Sequence, residues 1–224
     1  MTMTVIFVVM TILVFLTLDV IVRRVRAKKA VPVALAQAAR KALSVRIPEG
    51  IFFARSHTWM SLFPSGKIRL GVDDFVGRLL DNPQVRYLRG AGDTVKKGDP
   101  LFALSEGGRT LTIHAPMAGR IVSVNEELPA KPELLKENLF SDGWAFTIQP
   151  EKPSELRQML LGEETGTWIA DEFRRLRDVF AAVTSEGQLV PALLQDGGPP
   201  VAGALKQMGA DVWQNFEEEF LLVR

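Results

Sequence analysis

The sequence predicts a mainly β domain with helical additions, held behind one transmembrane helix. Three observations carry this. Residues 5–22 are one almost wholly apolar run. Residues 51–150 alternate short apolar stretches with turn signals at close intervals, as in a small barrel or sandwich. From residue 153 the apolar spacing becomes helical.

The run from Val5 to Val22 is interrupted only by Thr11, Thr17 and Asp19. Its 18 residues would span about 27 Å as a helix, close to the hydrocarbon thickness of a bilayer. A cleavable leader wants basic residues before the apolar run and small ones after it. Here Arg23, Arg24, Arg26, Lys28 and Lys29 follow the run, and no charged side chain precedes it. The positive-inside rule then predicts a single-pass inner-membrane anchor, with residues 1–4 outside and the main domain in the cytoplasm. The five basic residues are expected to touch anionic lipid heads. Asp19 lies one turn from the exit, where it can pair with Arg23 or meet a partner helix; the interfacial position favours the pair. Residues 23–47 read as a basic juxtamembrane segment and an Ala-rich helical stalk, ended by Pro48-Glu49-Gly50.

Two strands joined at Pro64-Ser65-Gly66 are expected first. A short helix follows, with Val72, Phe75 and Leu79 at helical spacing and Asp73-Asp74 as N-terminal cap and dipole partners. The central feature is residues 101–121. Two apolar runs flank Gly107-Gly108, and both glycines accept positive φ, so a tight hairpin is predicted. Further strands are read in residues 85–90, 119–124 and 144–150, with a short helical piece near Leu134-Leu135. Pro153-Ser154-Glu155 reads as a helix start with Ser154 as N-cap. A second helix is placed from about Thr167 to Phe180, with Ile169, Phe173, Leu176 and Phe180 as one apolar stripe. Residues 183–224 form a tail whose Trp213, Phe216 and Phe220 line one face of a last short helix. That helix either docks on its own domain or serves as a docking peptide for a partner.

Composition excludes several chemistries. Of 224 residues, 27 are basic and 26 acidic, so the net charge of +1 makes no case for nucleic acid. There is no cysteine, and the two histidines, His57 and His114, are far apart in sequence. A thiolate or multi-histidine metal site is therefore not expected. Both histidines are read as structural. No phosphate-binding loop, nucleophile elbow or zinc-protease motif is present. No catalytic residue, cofactor, metal or small-molecule substrate is expected.

From roughly Pro48 to Phe180 the chain resembles the H protein of the glycine cleavage system. Ser56-His57-Thr58-Trp59 resembles that family's E-H-x-W strand. Gly71-Val72-Asp73-Asp74-Phe75 resembles its turn into a helix, and Val95 to Pro100 the run before its key hairpin. Ala115-Pro116-Met117-Ala118-Gly119, then Val124-Asn125, Lys131-Pro132-Glu133-Leu134-Leu135 and Asp142-Gly143-Trp144-Ala145-Phe146, follow in the family's order. The resemblance implies an H-protein-like (lipoyl-domain-like) β barrel-sandwich hybrid with C-terminal helices across residues 48–182. It also implies a lysine at the hairpin carrying a lipoyl arm, but counting back from Ala115-Pro116 that position is Gly108, with Arg109 beside it. No lysine lies between Gly107 and Ala118. Arginine cannot replace it, because its guanidinium stays protonated and forms no such amide. The expectation is a non-enzymatic, non-lipoylated, membrane-anchored module. It would act as an accessory subunit or docking scaffold of a larger membrane complex, respiratory or photosynthetic in the concrete version. Gly107, Gly108, Arg109, Asp19, Trp213, Phe216 and Phe220 are the candidate interaction residues, and the bilayer and protein subunits the partners. One alternative is a lipoyl or aminomethyl carrier loaded at Lys96 or Lys97. Another is a periplasmic efflux adaptor, which the charge bias and the lack of a coiled-coil insertion disfavour.

Overall fold

Alternation of apolar and polar residues sets the architecture. In the strand Arg109–His114, Leu111 and Ile113 are fully buried while Thr110 is exposed. In Phe146–Pro150, Phe146 and Ile148 are buried and Gln149 is exposed. Each strand thus gives one face to a shared core. The computed structural model describes residues 46–184, of which 181–184 as backbone only, and 203–223. They form nine strands: β1 Ile51–Ala54, β2 Thr58–Leu62, β3 Ile68–Val72, β4 Gln84–Tyr87, β5 Thr94–Val95, β6 Pro100–Glu106, β7 Arg109–His114, β8 Gly119–Val124 and β9 Phe146–Pro150. One sheet has the order β1-β2-β3-β9-β8-β5 and the other β4-β6-β7, and every neighbouring pair is antiparallel.

Helix α1 (Asp74–Leu79) follows β3, and the Asp73 side chain caps it as expected, accepting from the N–H groups of Phe75 and Val76. Helix α2 (Leu134–Glu137) is the short helical piece in the β8–β9 connection. The turn at Pro64-Ser65-Gly66 joins β2 to β3, with the Gly66 N–H donating to the Phe63 carbonyl at 2.9 Å. β1 is an additional strand, an apolar run that the alternation test does not single out. It pairs with β2, and Phe53 bridges to Leu160.

Two helical expectations are corrected. Pro153–Gln158 is a 3-10 turn preceded by Lys152, so Ser154 lies inside it and caps nothing. The chain must straighten for the Phe53–Leu160 bridge, which leaves no room for an α-helix there. Helix α3 spans Glu163–Thr184, one turn earlier than the apolar stripe indicates. The first turn is polar outside, but Thr165 is fully buried in it. The tail folds as a 3-10 turn (Ala204–Gln207), helix α4 (Ala210–Phe216) and a π turn (Glu217–Leu221). Among the described residues no helix is long and apolar enough to cross a membrane. The segment expected to do so, residues 5–22, lies outside them, as does residues 23–45 of the stalk.

Candidate functional site

The hairpin tip is built by its two glycines. β6 and β7 pair in register to the last residue, Glu106 opposite Arg109, so Gly107 and Gly108 alone make the turn. Their φ values are 59° and 77°. A two-residue loop of the I′ kind needs positive φ at both centres, since only that twist matches the flanking strands. Both glycines are exposed, and a Cβ on either would meet nothing within 4 Å. Below the tip, Ser105 and Thr110 hydrogen-bond across the strands at 2.8 Å. The buried Glu106 carboxylate accepts from the Asp81 and Asn82 N–H groups at 3.1 and 2.7 Å. That staples the end of β6 to the loop after α1.

The tail lies against this hairpin. Arg109 donates to the Lys206 carbonyl at 3.5 Å. An open groove of about 440 Å³ runs between Gly108–Thr110 and the α4 residues Ala210, Trp213 and Gln214. The Lys206 ammonium pairs with Asp81 at 3.0 Å, and Asp81 also meets Lys136 at 3.4 Å. Hydrogen bonds from Lys206 and Lys136 hold the Asp81 carboxyl below its ordinary pKa. The three tail aromatics face inward. Trp213, Phe216 and Phe220 are at most 2% exposed. Trp213 Nε1 donates to the Leu205 carbonyl at 2.8 Å. Phe216 and Phe220 stack on each other at 5.1 Å and reach Phe75 at 5.9 and 5.5 Å. These aromatics find their apolar contacts within the domain.

Under the tail sits a buried charge relay centred on His57. The β1–β2 loop has three residues, and its last, His57, has φ 58°, the left-handed position usual for the third residue of such loops. The imidazole is fully buried between Phe75 (4.0 Å, 12°) and Trp168 (4.8 Å, 25°). Its Nδ1 lies 2.8 Å from Asp73 Oδ2, while Asp73 Oδ1 caps α1. Its Nε2 lies 3.8 Å from Glu172 Oε2, an ion-pair distance too long for a hydrogen bond. Burial disfavours the imidazolium, but the Asp73 and Glu172 carboxylates outweigh it and hold the His57 pKa above its ordinary value. Glu172 in turn accepts from Trp168 Nε1 at 3.1 Å and from Arg175 Nη1 at 2.8 Å. Burial raises its pKa, but His57 and Arg175 overcome this and leave it lowered. Arg175 also reaches Glu219 at 3.1 Å and lies over the Phe220 ring at 4.8 Å. The chain Asp73–His57–Glu172–Arg175–Glu219 therefore ties α1, the β1–β2 loop, α3 and the tail together.

The structure brings Gly107, Gly108 and Arg109 together at the tip. Asp19, Arg23, Arg24, Arg26, Lys28 and Lys29 lie outside the described residues. Lys96 and Lys97 are exposed in the turn between β5 and β6. His114, in the return strand, has a buried Nδ1 with no hydrogen-bond partner among the described residues. Among the described residues no group of three His, Asp or Glu side chains is placed to hold a metal ion. Sequence reasoning missed Glu172, Arg175 and Glu106. One signal was available: Glu172 adjoins Phe173 on the apolar side of α3, and a carboxylate there must find a partner when buried.

The sequence model of the glycine cleavage H-protein matches residues 51–172. A glycine cleavage system H protein of Shewanella loihica is 33% identical over 126 residues, 56% of this chain and 98% of that protein. One of Xanthomonas oryzae pv. oryzae is 27% identical over 126 residues, covering 56% of this chain and 96% of that protein. The crystal structure of a glycine cleavage system H protein from Mycobacterium marinum matches 56% of this chain and 98% of its own at 21% identity, with a TM-score of 0.46.

Proposed function

Because this chain belongs to the glycine cleavage H-protein family, we propose that it is a non-lipoylated, membrane-anchored member that serves as a structural or accessory subunit of a membrane complex. The observation that carries this reading is the tip. Gly108 stands where the family resemblance places the modified lysine, and no lysine occurs from Gly107 to Ala118. Amide attachment needs a primary amine, and the neighbouring Arg109 supplies none. The chain is then not an enzyme, and its barrel acts as a rigid module presenting the hairpin tip. The apolar run at residues 5–22 and the basic residues after it support an inner-membrane anchor with the domain on the cytoplasmic side.

Intact mass of the protein purified from its native membranes tests this directly. The unmodified mass is expected, and a lipoyl increment would overturn the reading. The carrier alternative is supported by the family match and by the exposure of Lys96 and Lys97 on a tight turn that a ligase could reach. Peptide mapping of that turn distinguishes the two. Purification in mild detergent is expected to yield companion subunits, and a lone monomer would remove the scaffold role.

A further inference from the structure

The three-stranded sheet has two edges. β7 is flanked by α4 and the π turn of the tail, whereas β4 pairs with β6 alone among the described residues. The ladder shows which backbone groups this leaves free. The Leu88 N–H donates to the Leu101 carbonyl at 2.9 Å, one step beyond the pair of Tyr87 and Phe102. Hydrogen-bonded pairs recur at every second residue of an antiparallel ladder, so Arg86 bonds to Ala103 and Gln84 to Ser105. The N–H and C=O groups of Val85 and Tyr87 then point outward from the sheet edge, with no partner among the described residues. Backbone groups without a protein partner are satisfied by water, and a row of them is a template for one more strand.

We propose that this edge docks an extended segment of a partner protein that carries Asp or Glu opposite Arg86. Charge selects the occupant. Two cross-strand rows, Gln84-Ser105-Thr110 and Arg86-Ala103-Thr112, share one side of the sheet. Arg86 is their single charged residue; it is exposed and meets no carboxylate among the described residues. On the other side Val85 lies buried in a row with Leu104 and Leu111. Side chains alternate along a strand, so Arg86 points away from that core. An added strand sets one residue directly opposite Arg86, with Cβ atoms about 5 Å apart, where a carboxylate attracts and a lysine repels. A second copy of this chain fits poorly. The antiparallel register within β4 that satisfies Val85 and Tyr87 of both copies sets Arg86 against Arg86. A short edge guarded by one charge also resists neutral strands, which leaves the partner of opposite charge.

The edge uses neither the hairpin tip nor any lysine, so it stands whether or not the chain carries a lipoyl group. The test is a titration of the full chain in non-ionic detergent with a short capped peptide of alternating threonine and valine, its central threonine replaced by glutamate. Amide NMR is the readout. Saturable binding is expected, with hydrogen exchange slowed at the Val85 and Tyr87 amides. Peptides with glutamine or lysine at the centre should bind about threefold and about tenfold more weakly, the scale of one facing charge pair lost or opposed. Arg86→Glu changes an exposed side chain, so it should keep the wild-type urea midpoint and make the lysine peptide the tightest of the three. No saturable binding, or binding that leaves the Val85 and Tyr87 amides unprotected, would overturn the docking edge. Equal affinity for all three peptides, or an unchanged order in Arg86→Glu, would overturn the acidic class of partner. Protection of both amides in a peptide-free chain that sediments as a dimer would replace the partner with a second copy.

Discussion

Replacing His57 with alanine should destabilise the domain by about 3–5 kcal/mol, because it removes one partner from a buried ionic cluster. The imidazole is fully buried, 2.8 Å from Asp73 and 3.8 Å from Glu172. Without it, two carboxylates face the same interior space with no positive group between them. Asp73 keeps its two N–H donors from α1 and Glu172 keeps Arg175, which holds the loss near the lower figure. Alanine shares the strain of the left-handed backbone at this position, so the loss reports the side chain. Asparagine tolerates that backbone and can donate to Asp73, but carries no charge. His57→Asn should therefore lose less, about 2 kcal/mol.

The pH profile separates an ionic role from simple packing. His57 holds its proton more tightly folded than unfolded. Its contribution is full below the ordinary imidazole pKa of 6.5 and is lost as pH rises through the higher folded value. Glu172 works in the opposite sense. Its contribution is full above the ordinary carboxylate pKa of 4.5 and is lost as pH falls through the lower folded value. The cluster therefore stabilises most between pH 4.5 and 6.5. Urea unfolding of the full chain, followed by near-ultraviolet circular dichroism from pH 5 to 9, should show midpoints falling on the alkaline side. Both variants should flatten that decline. An unchanged slope in His57→Ala would refute a charged His57.

Three further changes probe the fold and the tip. Gly71→Ala places a Cβ 2.9 Å from the Gly143 carbonyl oxygen and 2.9 Å from Trp59 Nε1, and a loss of about 3 kcal/mol is expected in urea unfolding. Phe216→Ala empties a fully buried site against Phe75 and Phe220 and should cost about 4 kcal/mol. A loss below about 1 kcal/mol would show the tail to be dispensable. In Gly108→Lys the new Cβ meets no atom within 4 Å but the residue adopts φ 77°, so a loss of about 1 kcal/mol with the fold intact is expected. Its intact mass should show no lipoyl group, because Gly107 and Arg109 still flank the new lysine; efficient lipoylation would mean those flanks matter little.

Local signals made the hairpin and α1 legible. Gly107-Gly108 and Asp73 act within four residues of themselves, through turn dihedrals and a cap. The stripe Ile169, Phe173, Leu176 and Phe180 is also a local pattern, and all four side chains are buried. What stayed hidden depends on distant partners. β1 is a strand because Phe53 finds β2 on one side and Leu160 on the other. The tail aromatics are interior because Phe75, far away in sequence, forms their seat. Ser154 looks like a cap, yet caps nothing, because the bridge at Leu160 draws the chain straight after one short 3-10 turn. For His57 the sequence suggests a structural hydrogen bond, and Asp73 supplies it. Its second carboxylate, Glu172, lies 115 residues later on α3 and is beyond any spacing rule.

The tip and the tail point to one physical purpose, rigidity. A carrier needs an exposed side chain at a turn, and a residue with a Cβ pays strain at φ 77°. This chain has glycine at both centres, which removes the strain and, on the proposed reading, the attachment point with it. The strands below are then fastened from both sides. Glu106 pins β6 to the loop after α1, and Arg109 reaches the tail at Lys206. The tail is held by buried aromatics on Phe75 and by the relay from His57 through Arg175 to Glu219. A fixed hairpin on a stapled barrel fits a module that presents a constant surface better than one that swings a loaded arm. On the proposed reading, hydrogen exchange at residues 105–110 should be slow for an exposed turn, and should quicken in Phe216→Ala as the tail loosens. Exchange at those residues that is fast in wild type and unaffected by the variant would separate the tip from the tail and remove this support for a scaffold.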